Sequence, residues 1–187
     1  MKKIKLITNL TCWLFICLLF FSTTESTAQV KKMSAEEMTK SSTAVLYGKC
    51  SKIKSEWNED RSIIFTYVTI TPEEYIKGNL GGEAVIAVPG GRVDDIIYEV
   101  SETPFFTEGE EVVAFVWTNP AGKNLVTGGY QGKVKIEKDA RTGKRSVEAE
   151  VVTDELQEGD LVPGQAKKAE RLQLEDFVVK LKGYAKN

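Results

Sequence analysis

The chain has 187 residues, 42% of them hydrophobic, with 25 basic and 27 acidic side chains for a formal net charge of −2. It contains no histidine, which excludes Ser-His-Asp and Cys-His nucleophile activation, histidine-ligated zinc and imidazole pH sensing. The charge is mildly acidic with both signs interspersed, so the basic footprint that neutralises phosphates is missing and no nucleic-acid partner is expected.

Residues 1–28 have the pattern of an export signal. Lys2, Lys3 and Lys5 form a basic head, residues 6–21 are almost wholly apolar, and Ser26-Thr27-Ala28 offers small residues to a signal peptidase. Cleavage is therefore expected after Ala28, with the mature chain starting at Gln29 and located in the periplasm or outside the cell. An uncleaved N-terminal anchor is the alternative, because the apolar run approaches the roughly 18 to 20 residues of a bilayer span. A lipid anchor at Cys17 is disfavoured by the bulky Ile16 before it. The remaining 159 residues, 29–187, carry 22 basic and 26 acidic side chains and suit one domain. Cys12 and Cys17 leave with the signal, so Cys50 has no intramolecular partner and is expected to be a small buried residue on a strand.

Next, Ser34 and Glu37 have the spacing of a capping box, with Met33 placed to staple onto Met38, and predict a short helix ending near Ser41. From Ala44 the period changes to two. Strands are expected over 44–50 and 63–70, joined as a long hairpin with an acidic tip at Glu56-Trp57-Asn58-Glu59-Asp60. Thr71-Pro72 marks an edge or a bulge, because proline cannot donate within a central ladder. Further strands are expected over 84–88, 95–100, 111–117, 125–127, 132–137 and 146–152, with Pro89-Gly90-Gly91 breaking the chain after the first of these. Many short strands with glycine turns describe a sandwich or small barrel. Helical spacing returns at Leu174, Phe177, Val178 and Leu181, predicting a C-terminal helix over about 165–183 with Gly183 as its cap and one face packed on the sheet.

Taken together, Val45-Leu46-Tyr47-Gly48-Lys49, the hairpin to Val68, Glu74-Tyr75-Ile76-Lys77-Gly78 and Glu108-Gly109-Glu110-Glu111-Val112-Val113-Ala114-Phe115 resemble a netrin-like barrel. That is the oligonucleotide/oligosaccharide-binding (OB) type of fold, as in the tissue inhibitors of metalloproteinases, and the resemblance covers residues 44–137. The chain is also similar to uncharacterised exported bacterial domains with the same Gly-Lys, Lys-Gly, Pro-Gly-Gly and Gln-Gly-Lys signposts. The implied fold is mainly β: a small Greek-key barrel with a short N-terminal helix and a C-terminal helix. The implied activity does not carry over. The animal inhibitors chelate a protease's zinc through an N-terminal cysteine, whereas Gln29 stands at the expected start here, and the family's disulfide framework is absent.

Several motifs offer chemistry. Ser51-Lys52-Ile53-Lys54 has the Ser-x-x-Lys spacing of penicillin-binding proteins, but an extended strand would point the two side chains apart. Gly128-Gly129-Tyr130-Gln131-Gly132-Lys133 is one residue short of a phosphate loop and precedes a strand, so it reads as a turn or bulge. The acidic clusters at Glu59-Asp60, Asp94-Asp95, 108–111 and 154–160 lack the alternation of a calcium loop and read as solvated turns. The loop aromatics Trp57, Phe105, Phe106 and Tyr130 are the binding candidates, with plugging of the barrel ends as their structural alternative. The expectation is a non-enzymatic module that binds a protein or cell-envelope component, a peptidase among the candidates, without cofactor or metal. A structural envelope protein and a histidine-independent hydrolase using carboxylates or a Ser/Lys pair are the alternatives.

Overall fold

The computed structural model of the chain describes residues 32–148 and 171–186; the expected export signal, Gln29, the acidic run 154–160 and residues 165–170 lie outside the described residues. Helix α1 (Ala35–Ser41) starts where its capping box directs. The Ser34 hydroxyl accepts from the Glu37 amide at 3.1 Å, and the Glu37 carboxylate accepts from the Ser34 amide at 2.9 Å. Met33 and Met38 then join one apolar cluster.

Strands β1 (Ala44–Trp57) and β2 (Ile64–Lys77) form a 14-residue antiparallel hairpin whose register slips at three places. Each slip is a bulge that adds bend and twist. One lies beside Pro72, in the part of β2 that β3 (Ala84–Pro89) does not reach, so the missing proline N–H interrupts no second ladder. The expected break at Pro89-Gly90-Gly91 is instead a sharp corner into a short ribbon, β4 (Gly91–Val93) paired with β5 (Ile96–Tyr98). Gly90 and Gly91 take φ of 101° and 136°, which few residues other than glycine adopt, and this lets the chain turn and pair again at once.

Strand β6 (Glu111–Thr118) returns to lie beside β1, giving the order β6-β1-β2-β3 of a Greek key. Strands β7 (Asn124–Val126), β8 (Lys133–Lys138), β9 (Arg145–Glu148) and β10 (Arg171–Gln173) complete an eight-stranded sheet curled strongly into a half-barrel. Val112 to Val116 are all buried because β6 is central and both of its faces are covered. Val113 and Phe115 pack toward the helices, whereas Val112, Ala114 and Val116 pack on the opposite face with Cys50, Val68 and Phe106. Cys50 is free and buried, as expected.

Helix α2 (Leu174–Lys186) buries Leu174, Phe177, Val178 and Leu181, the four residues at helical spacing. An isolated helix of this length is marginal in water, and burial of those side chains, worth about 1.5–3 kcal/mol each when complete, holds it on the sheet. Its limits correct the expected range of 165–183. Residues 171–173 form β10, a strand too short to show a period, and the helix continues through Gly183 because Tyr184 in the next turn packs on the same cluster. Among the described residues no helix is long and apolar enough to cross a membrane.

Candidate functional site

A groove of about 820 Å³ opens on the face of the sheet away from the helices. Its floor is the far half of the β1–β2 hairpin, with Ser55, Thr66 and Val68, and its walls are the β4–β5 ribbon and the loop 99–106. The floor's hydroxyls are already engaged. Ser55 Oγ and Thr66 Oγ1 lie 2.9 Å apart, and the Thr66 hydroxyl donates to the Gly90 carbonyl at 2.8 Å. The rest of the lining is dominated by apolar groups, among them Ile97, Val100 and Phe105.

The loop that carries Phe105 is fixed from several directions. Phe106 is 5% exposed and inserts into the core, while the neighbouring Phe105 ring is 82% exposed. The Lys133 ammonium donates to the Phe105 carbonyl, pairs with the Glu110 carboxylate at 2.7 Å and lies 4.9 Å from the centre of the Phe106 ring. The same Glu110 carboxylate accepts from the Thr107 amide at 2.7 Å, and Glu108 accepts from the Ile53 amide at 2.9 Å. Backbone bonds between Cys50 and both Gly109 and Glu110 tie the end of the loop to β1. Beneath this clamp, burial pushes the Cys50 thiol pKa up, and the negative charges of Glu110 and Glu108 push it further.

The four aromatic candidates separate accordingly. Phe105 lines the groove with its ring in solvent. Phe106 also borders it, but its expected exposure is corrected: the ring is buried in the core, in keeping with the structural alternative, and anchors the loop. Tyr130 is 53% exposed on the 3-10 turn Gly129–Gly132, and its amide donates to the Glu102 carbonyl, which attaches that turn to the groove's outer loop. Trp57 ends β1 opposite Ile64, half-buried, and does not line the groove. Sequence reasoning missed Ile97, 60% exposed on β5, and Lys133, the pin of the clamp. The adjacent Ile96-Ile97 within an acidic stretch was the available signal for the first; nothing local marks the second.

The other candidates resolve into structure. Ser51 donates to the Thr69 carbonyl and Lys54 pairs with Glu56, both on an extended strand, so they do not assemble a Ser/Lys nucleophile. The Gly128 to Gly132 stretch is a left-handed residue followed by the 3-10 turn, with strand β8 after it. Asp60 caps its turn by accepting from the Ser62 amide and hydroxyl, and these bonds lower its pKa. A smaller cleft of about 230 Å³ beneath α2 is crossed by charge pairs: Glu74 binds Lys182 and the Tyr47 hydroxyl, and Arg145 binds Glu73 at 2.7 Å. Burial, then Glu74, raises the Tyr47 pKa. These contacts join α2 and β9 to β1 and β2. Among the described residues no three acidic or cysteine side chains converge on one point.

No family model matches the chain, and no curated protein matches it.

Proposed function

We propose that this chain is an exported, non-enzymatic binding module of the netrin-like barrel type, and that it recognises a protein or cell-envelope partner through the groove beside Phe105. The export signal read from residues 1–28 supplies the address. The observation that carries the reading is the Phe105 ring, 82% exposed on a loop held by Lys133, Glu110 and the buried Phe106. A loose loop would fold such a ring away, since burial of a phenyl side chain is worth about 2 kcal/mol. Here the backbone is fixed and the ring stays in solvent beside an apolar groove, the arrangement of a preorganised anchor.

The test uses the wild-type protein and Phe105→Ala as paired baits against envelope and medium proteins of the producing cell. One stoichiometric partner is expected with the wild type and its loss with the variant, at an unchanged thermal unfolding midpoint. Equal recovery by both baits would overturn the assignment of the groove.

A further inference from the structure

The rim of the groove is charged as well as apolar. Across residues 90–104 a single cation, Arg92, stands against Asp94, Asp95, Glu99 and Glu102, a net of −3. All four acidic residues are exposed, and their carboxylates form no ion pair or hydrogen bond among the described residues. Other carboxylates are paired, among them Glu36 with Lys40, Glu73 with Arg145, Glu74 with Lys182, Glu110 with Lys133 and Glu137 with Arg171. Four lone carboxylates and a local net charge of −3 thus lie on the ribbon and loop that carry the exposed Ile96, Ile97 and Phe105. The ribbon adds a third property. Among the described residues strand β5 has β4 as its one ladder neighbour, so its outer edge presents unpaired backbone groups along the groove wall.

Each property narrows the occupant. An open strand edge takes an extended peptide through main-chain hydrogen bonds, and side chains on such a peptide alternate between two faces. The apolar wall requires an apolar side chain on one of those faces. The uncompensated carboxylates, in the turn before β5 and the loop after it, require cations flanking that side chain, and they repel phosphate-bearing lipid and nucleic acid.

Building on the binding-module reading above, we propose that the groove takes an extended basic segment of a partner protein. The segment pairs along β5, seats an apolar side chain against Ile97 and Phe105, and sets its cations against Asp94, Asp95, Glu99 and Glu102.

The experiment is fluorescence anisotropy of the full chain with three labelled decapeptides: alternating Lys/Val, alternating Glu/Val and alternating Lys/Ser. The Lys/Val peptide is expected to bind about tenfold more tightly than either control and to weaken severalfold as salt rises from about 50 to 300 mM. Binding should protect from hydrogen exchange those amides of residues 96–98 that face away from β4. Phe105→Ala, and separately the combined Asp94→Asn, Asp95→Asn, Glu99→Gln and Glu102→Gln variant, should each weaken it about tenfold at unchanged thermal midpoint. Absence of Lys/Val binding, equal binding of Glu/Val, or retention by the neutralised variant overturns the proposal. Glu/Val binding that is lost in Phe105→Ala would remove the basic chemistry and leave the groove reading standing, whereas Lys/Val binding indifferent to Phe105→Ala would remove the groove reading itself.

Discussion

The Lys133 ammonium and the Glu110 carboxylate lie 2.7 Å apart with their side chains only 14% and 11% exposed, and the pair holds the loop that presents Phe105. A nearly buried ion pair is a poor source of net stability, but removing one member strands the other's charge. Lys133→Met removes the cation, the bond to the Phe105 carbonyl and the contact with the Phe106 ring together. It is expected to cost about 3 kcal/mol, read as a lower urea midpoint. Adding Glu110→Leu should restore part of this stability and none of the order in the loop, a difference visible in amide exchange of residues 105–107.

Adjacent phenylalanines should respond in opposite ways. Phe106→Ala opens a cavity among Val68, Val88 and Val112 and is expected to destabilise the fold by about 3–5 kcal/mol. Phe105→Ala removes an exposed ring and should stay within about 0.5 kcal/mol of the wild type. Equilibrium urea unfolding of both variants checks the pair, and similar losses would mean that Phe105 is part of the core.

The parts of the fold written in local pattern were legible in the sequence. The capping box at Ser34 and Glu37, the hairpin from Ala44, the bulge beside Pro72 and the face of Leu174, Phe177, Val178 and Leu181 each rest on residues within a turn or two of one another. Strands β4 and β10 have three residues each, too few for a period to show, and they exist because a neighbouring strand is in place to pair with them. At the site the same boundary applies. A loop with adjacent aromatics was recognisable, but which ring faces inward depends on Lys133, 28 residues from Phe105 and on another strand. The Asp94-Asp95 pair and the neighbouring Ile96-Ile97 were visible too, but only the fold brings Ile97 and Phe105 to one groove.

Cys50 should be chemically silent in the native state. Its thiol is buried, and burial together with the negative charges of Glu110 and Glu108 raises its pKa, so the reactive thiolate is scarcer than for a free cysteine at any neutral pH. Labelling by a maleimide or an aromatic disulfide at pH 8 is expected to proceed at least about 100-fold more slowly than in denaturant, where access is no longer limited by opening of the fold. Full-speed labelling of the native protein would place the thiol at the surface.

Asp139 gives a pH dependence of definite sign. Its carboxylate accepts from the Thr142 amide at 2.7 Å and from the Thr142 hydroxyl and Arg141 amide, bonds that favour the ionised form and lower its pKa. A depressed folded-state pKa contributes stability above the unfolded value of about 3.9, and that contribution is lost as pH falls through the folded value. Asp139→Asn keeps an acceptor and removes the titration. Urea midpoints at pH 6 and pH 2.5 should therefore differ less for Asp139→Asn than for the wild type; an equal drop would assign the acid sensitivity elsewhere.

Gly91 lies where the β4 wall of the groove meets its floor, under two separate constraints. A Cβ at this position would overlap the Thr66 and Ser55 hydroxyl oxygens, and the backbone φ of 136° is strained for any L side chain. Gly91→Ala is therefore expected to push β4 away from the β1–β2 hairpin and part the Ser55–Thr66 contact. The damage should be local. Amides of β4 and β5 should exchange faster while the β1–β6 ladder, fixed by its own register, keeps its protection. Placing Gly91→Ala in a Ser55→Ala, Thr66→Ala background removes the overlap with the two hydroxyls and leaves a tight 3.1 Å approach to the Cβ of residue 55 and the φ penalty, of order 1 kcal/mol or more. Partial recovery of β4–β5 protection in that background is the expected outcome, and full recovery would show that the hydroxyls, and neither the φ nor the residue 55 Cβ, reserve the position for glycine.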